Sequence, residues 1–129
     1  MPAVELLARA LKDIQSTDPD LSLVDLIIIL WLYASPYETK RRYLSSIKRI
    51  LRHVKEFQLP DGRLLLSDEE LSNLVLSSLK KLEKKGYVAI LSCGNIYVRA
   101  CLTPKAISFV RRNLSDISLE FLEEYGHLK

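Results

Sequence analysis

Seven basic side chains and no acid lie between positions 40 and 55: Lys40, Arg41, Arg42, Lys48, Arg49, Arg52 and Lys55. Wound on a helix at about 100° per residue, Arg41, Lys48, Arg52 and Lys55 fall in one sector, and Arg42 and Arg49 widen it outward. Such a strip can follow a phosphate backbone and gain affinity by releasing counterions. The same pattern suits an acidic membrane surface or a calmodulin-like partner, and it also occurs as a merely solvated face. The apolar stripe beside it, Leu44, Ile47, Leu51 and Val54, is narrow and is needed to cover a neighbouring helix, which favours nucleic acid. His53, on the outer side of the strip, reads as a surface histidine.

A second set has a different chemistry. Asn73, Ser77, Lys80 and Lys84 recur at spacings of three and four, opposite the apolar face Leu71, Leu74, Val75, Leu79 and Leu82. Asparagine pairs bidentately with adenine, serine reaches bases or phosphates, and lysine suits phosphates or guanine. The bland alternative is the polar face that every surface helix presents. Further on, Tyr97 and Arg99 share one side of a strand, since side chains alternate. An arginine there can enter a minor groove or touch phosphate. Asn95, beside Gly94, reads as a turn residue.

Other chemistries lack their residues. There is no glycine-rich phosphate loop, nucleophile elbow or paired metal-ligand spacing. His53 and His127 stand far apart, and neither sits at zinc-ligand distance in sequence from a cysteine. Glu123 and Glu124 are adjacent, so they point to different sides of a helix; the acidic stretch 116–124 reads as an exposed face. The expectation is a protein that is not an enzyme, with no metal, no cofactor and no small-molecule substrate. Cys93 and Cys101 are too few for a small secreted disulfide scaffold. With Gly94-Asn95 as a two-residue turn, Cys93 faces Ile96 and Cys101 faces Val88, which predicts two free thiols.

The elements that must position these residues follow from periodicity and punctuation. The chain has 129 residues, 48% of them hydrophobic and 27% charged, with a net charge of +3. That predicts a single domain over 1–129 with a real core. The apolar run 21–34 is shorter than the about 20 residues a membrane span needs, and it contains Asp25. It reads as a buried core helix. The sequence starts without a basic, leader-like stretch, so the cytoplasm is the expected compartment and no membrane is expected as a partner.

A helix over 2–14 is predicted from Val4, Leu7, Leu11 and Ile14, followed by a linker to 20. Ser22 and Asp25 start the next helix as a capping pair, and Ser35-Pro36 stops it. A long basic helix is expected over 37–57, then a turn over 58–62 and a short strand at 64–66. Ser67 or Asp68 caps a helix running to 85, closed by Gly86. The β-rich runs 87–92 and 96–102 form a hairpin. Thr103 caps a last helix with Pro104 at its first position, and Ile107, Val110, Leu114, Ile117 and Phe121 carry its apolar stripe. The fold class is thus mainly α with a small β-hairpin wing, a winged helix-turn-helix with extra N- and C-terminal helices. Its core is 21–103, its wing 87–102, its terminal helices 1–20 with the linker and 104–126.

The segment Leu79-Lys80-Lys81-Leu82-Glu83-Lys84-Lys85-Gly86-Tyr87-Val88 resembles the end of the recognition helix in MarR-like and PadR-like winged-helix regulators. Leu102-Thr103-Pro104-Lys105-Ala106, with Phe109 and Arg111 after it, resembles the start of their post-wing helix. Ala106 stands where that family usually has glycine. The likeness covers roughly 68–113. It implies that the helix bearing Asn73 and Ser77 enters the major groove of double-stranded DNA. It also implies a homodimer matching two half-sites. The apolar stripes of the terminal helices, with Leu7, Leu11, Val110, Leu114, Ile117 and Phe121, either form the dimer surface or close the domain's own core. The alternative is a winged-helix module that binds protein within a larger complex.

Overall fold

The computed structural model describes residues 18, 20–52, 58–93 and 97–113, the side chains of Cys93 and Tyr97 excepted. The expected helix at 2–14, the chain beyond 113, and His53, Lys55 and Asn95 lie outside them.

The first described helix, α1 (Leu23–Tyr33), begins where the sequence predicts. Ser22 accepts a hydrogen bond from the Asp25 amide at 3.2 Å, and the Asp25 carboxylate accepts one from the Ser22 amide at 2.9 Å. This reciprocal cap satisfies two amides that the helix itself leaves unpaired. Everything from Leu26 to Ala34 is buried, as an element apolar all round requires.

The long helix expected over 37–57 is not there. Residues 36–39 turn, Lys40 takes a left-handed backbone at φ 51°, and β1 (Arg41–Tyr43) follows. A short helix, α2 (Leu44–Leu51), then runs for 8 residues. Arg41, Arg42 and Tyr43 pair with Cys101, Ala100 and Arg99 of a later strand. That ladder bonds the backbone of 41–43 to a distant strand in place of intrahelical partners, so tertiary pairing overrides local preference. The apolar spacing marked α2 correctly: Ile47, Ile50 and Leu51 are buried and Leu44 is partly so. At 58–66 an isolated bridge joins Gln58 and Leu64, in place of the expected short strand, and Gly62 turns the chain at φ +87°.

The fourth element, α3 (Asp68–Lys84), is capped by Ser67, whose side chain and Glu70 form a second reciprocal box. Leu71, Val75, Ser78, Leu79 and Leu82 are its buried residues, whereas Leu74 is only partly buried. At its end the Tyr87 amide donates to Leu82 O at 2.9 Å, and the Gly86 amide to Glu83 O at 3.0 Å. This pair of bonds demands a left-handed residue, and Gly86 supplies it at φ +84°. A Cβ there would meet only the Lys105 side chain at 3.7 Å, so space is not the obstacle. Gly86→Ala is expected to cost about 1 kcal/mol through backbone strain alone, read from the urea midpoint.

Strands β2 (Val88–Cys93) and β3 (Tyr97–Leu102) form the predicted hairpin. Its register differs by one residue from the expectation: Cys101 faces Ala89 and Cys93 faces Tyr97. The connection is therefore three residues, 94–96, and not the two-residue Gly94-Asn95 turn. Cys101 is a free thiol. The sheet is antiparallel throughout, in the order β1-β3-β2.

Thr103 then caps α4 (Pro104–Asn113), accepting from the Ala106 amide at 3.3 Å while its hydroxyl donates to Gly86 O at 2.6 Å. The described residues thus form an α+β unit of four helices and a three-stranded sheet. Val88, Ala100 and Leu102 on the inner face of the sheet share one core with all four helices. Val110, a candidate for the dimer surface, is fully buried in that core. Trp31 and Tyr33 are core residues, in keeping with the reading of 21–34 as a buried helix. No helix among the described residues is long and apolar enough to cross a membrane.

Candidate nucleic-acid interface

The helical period of α3 puts Asn73, Ser77, Lys80 and Lys84 on one side, and all four are exposed. Around this stripe the charge is uneven. Asp68, Glu69 and Glu70 occupy the first turn, where the positive end of the helix dipole stabilises acids. Lys80, Lys81, Lys84 and Lys85 gather at the other end. Two of these lysines already have partners. Lys81 Nζ lies 2.7 Å from the Asp25 carboxylate, and Lys85 Nζ lies 3.4 Å from Asp18 and 3.3 Å from Asp20. Among the described residues, Lys80 and Lys84 form no ion pair. The uncommitted positive charge therefore sits on the C-terminal half of the stripe.

The buried anchor of α3 is Asp25, which reaches across from α1. Its carboxylate accepts from the Ser78 hydroxyl as well as from Lys81 and the Ser22 amide. Burial pushes this carboxyl up, but the bonds from Lys81, Ser78 and Ser22 outweigh it and hold the group below its ordinary value. In sequence, Asp25 reads as a capping partner and as a charge that bars a membrane span. A carboxylate inside an otherwise apolar run signals a buried counter-charge, but nothing in the run says that Lys81 supplies it.

The basic run 40–55 is divided among three tasks. Arg42, on β1, points inward: its guanidinium carbon lies 3.8 Å from the centre of the Trp31 ring, and its Nε donates to Trp31 O at 2.7 Å. This is a staple between β1 and α1, not a phosphate contact. Arg42→Ala is expected to lower stability by about 1–2 kcal/mol with nucleic-acid affinity unchanged, as paired unfolding and filter-binding measurements would show. Arg41 points to the other face and stacks on Tyr37, 4.6 Å from the ring centre. Lys48 on α2 and Arg52, the residue just past its end, converge on Asp68, at 3.0 and 2.6 Å. The hydrogen bond from Lys48, with help from Arg52, outweighs desolvation and holds the Asp68 carboxyl below its ordinary value. Arg49 is exposed and forms no ion pair among the described residues.

The structure thus brings Lys48 and Arg52 to the N-terminal end of α3, with Arg49 exposed on α2 between them in sequence, and it sets Arg41 and Arg42 on β1 against other partners. Arg99 does not extend the α3 stripe either. Its neighbour Ala100 faces the core, so Arg99 stands on the outer face of the sheet, opposite Tyr43 on β1 and Leu91 on β2. The pairing of Asp68 was missed in sequence because the acid-free run ends before that residue.

No family model, curated protein or solved structure matches the chain.

Proposed function

We propose that this protein is a winged-helix DNA-binding protein, a regulator or architectural factor without catalytic chemistry, with α3 as the helix that enters the major groove. The observation that carries the reading is the exposed stripe Asn73, Ser77, Lys80 and Lys84 on a helix held rigidly by its opposite face. Base-reading groups stand at its middle and free lysines at one end, the division that duplex recognition uses. The element order supports it: helix, strand, short helix, long helix, hairpin, helix, with the first strand paired to the last. An α2 of 8 residues has the two-turn length that the first helix of such a motif needs. Arg49 and, once released from Asp68, Lys48 and Arg52 would flank the groove on its phosphates. A homodimer would double these contacts over two half-sites.

Duplex affinity measured by fluorescence anisotropy across a salt series tests this reading. Log affinity should fall steeply with log salt, by roughly 0.9 per phosphate contacted. A flat salt response, or a preference for duplex RNA over duplex DNA, overturns it.

One observation favours a second reading, a protein-interaction module. The carboxylate of Asp68 already occupies two of the cations that phosphates would need. Asp68→Asn separates the two readings. If those cations serve DNA, the variant should bind duplex about two- to fivefold more tightly, the scale of a surface ion pair. If they serve only the α2–α3 contact, duplex affinity stays as it was.

A further inference from the structure

The sheet has an outer face that the duplex reading leaves unused. The register lines up Tyr43, Arg99 and Leu91 across β1, β3 and β2, next to a second row in which Arg41 pairs with Cys101. Tyr37, Tyr43 and Leu91 are three of the few large apolar side chains exposed in the described residues, at 55%, 51% and 45%. Arg41 already lies over the Tyr37 ring at 4.6 Å, so one guanidinium is held against an aromatic face. The described side chains of this face include two arginines and no acid. Glu38, on the turn ahead of β1, is the nearest acid in sequence and forms no ion pair with Arg41.

We propose that this outer face, where Tyr43, Arg99 and Leu91 align beside the Tyr37–Arg41 stack, is a binding platform for single-stranded DNA. Every base has a π-face that stacks on tyrosine or on a guanidinium plane, and its phosphates seek cations. Neighbouring strands lie about 4.8 Å apart, so the row of three spans about 10 Å, room for successive bases rather than for a duplex. Charge decides against a second copy of the chain, because two such faces would bring four guanidiniums together. Stacking and cations ask nothing of a 2′-hydroxyl, so a DNA strand satisfies the face, and RNA is the outcome that the test separates from it. The site is independent of α3, because the core lies between them.

The test uses the full-length protein and a fluorescent oligo(dT) strand, with Tyr37→Ala, Tyr43→Ala and Arg99→Gln each checked for an unchanged urea midpoint. Each folded variant should bind oligo(dT) about tenfold more weakly, the scale of one lost stacking partner, with duplex affinity unaltered. Arg49→Gln with Lys80→Gln should do the reverse, so a failure of the duplex reading leaves this result legible. Oligo(dT) bound equally by wild type and all variants, or not bound at all, overturns the platform. Tighter binding of oligo(rU) overturns the assignment to DNA. If oligo(dT) binds only after Asp116, Glu120, Glu123 and Glu124 are changed to their amides, the acidic segment is the occupant and the proposal fails. A dimer that Tyr37→Ala dissociates in sedimentation assigns the face to a second copy and likewise overturns it.

Discussion

Replacing Asp25 with Ala is expected to lower the unfolding free energy by about 3 kcal/mol, the largest loss anticipated for any single polar side chain here. Asp25 is 2% exposed and joins α1 to α3 through Ser78 and Lys81. Lys81 is 43% exposed at its side chain, so its charge can return to water. The Ser78 hydroxyl is buried and cannot, and the Ser22 amide loses its half of the cap. The loss is thus mainly the cost of polar groups stranded without an acceptor. Asp25→Asn retains an acceptor and should lose about half as much.

The same residue makes a pH signature. Its folded pKa lies below the ordinary value of 3.8, so the stability it adds is whole at neutral pH. That contribution falls as pH drops through 3.8 and is gone below the folded value. Asp18, Asp68 and Glu70 are shifted the same way, so the wild type loses stability in acid for several reasons. The difference between wild type and Asp25→Asn isolates this one carboxylate. Urea midpoints taken between about pH 2 and 7 should converge at the acid end. Curves that stay parallel would show that the Asp25 charge is not stabilising.

The second large effect concerns binding. Neutralising Arg49, Lys80 and Lys84 together should weaken binding to every duplex alike and lower the salt slope by roughly one per lost contact. Asn73→Ala should instead cost about 1–3 kcal/mol at a preferred site and little on random duplex. The pair gives opposite patterns when specific and random DNA are compared by anisotropy. If both lose affinity uniformly, the protein is a sequence-tolerant, architectural binder. If neither changes affinity, the α3 stripe is a solvated face and the interaction-module reading stands.

What the chain reveals on inspection depends on how local its cause is. Ser22 with Asp25, Ser67 with Glu70, Gly86, and Thr103 before Pro104 all act within a few residues, and each sits where its local chemistry demands. The α3 stripe is local too, since helical period alone places Asn73, Ser77, Lys80 and Lys84 together. By contrast, the strand Arg41–Tyr43 exists because β3 lies beside it, some sixty positions later in the sequence. No property of Arg41 or Arg42 announces that pairing, so periodicity extended the helix through them. The same distant pairing sends Arg42 onto Trp31 and Arg41 onto Tyr37, and breaks a strip that looked continuous. The one-residue register difference in the hairpin has a related origin: turn length, not strand composition, sets which residues face each other.

The most direct measurement of the central claim is a titration of isotope-labelled protein with duplex DNA, followed through its amide and asparagine side-chain NMR signals. The largest shifts should fall on Asn73, Ser77, Lys80 and Lys84, with a lesser group at Lys48, Arg49 and Arg52, and none at Trp31 or Arg42. Shifts confined to other surfaces, or no shifts at a duplex concentration that saturates known winged-helix proteins, would contradict the claim.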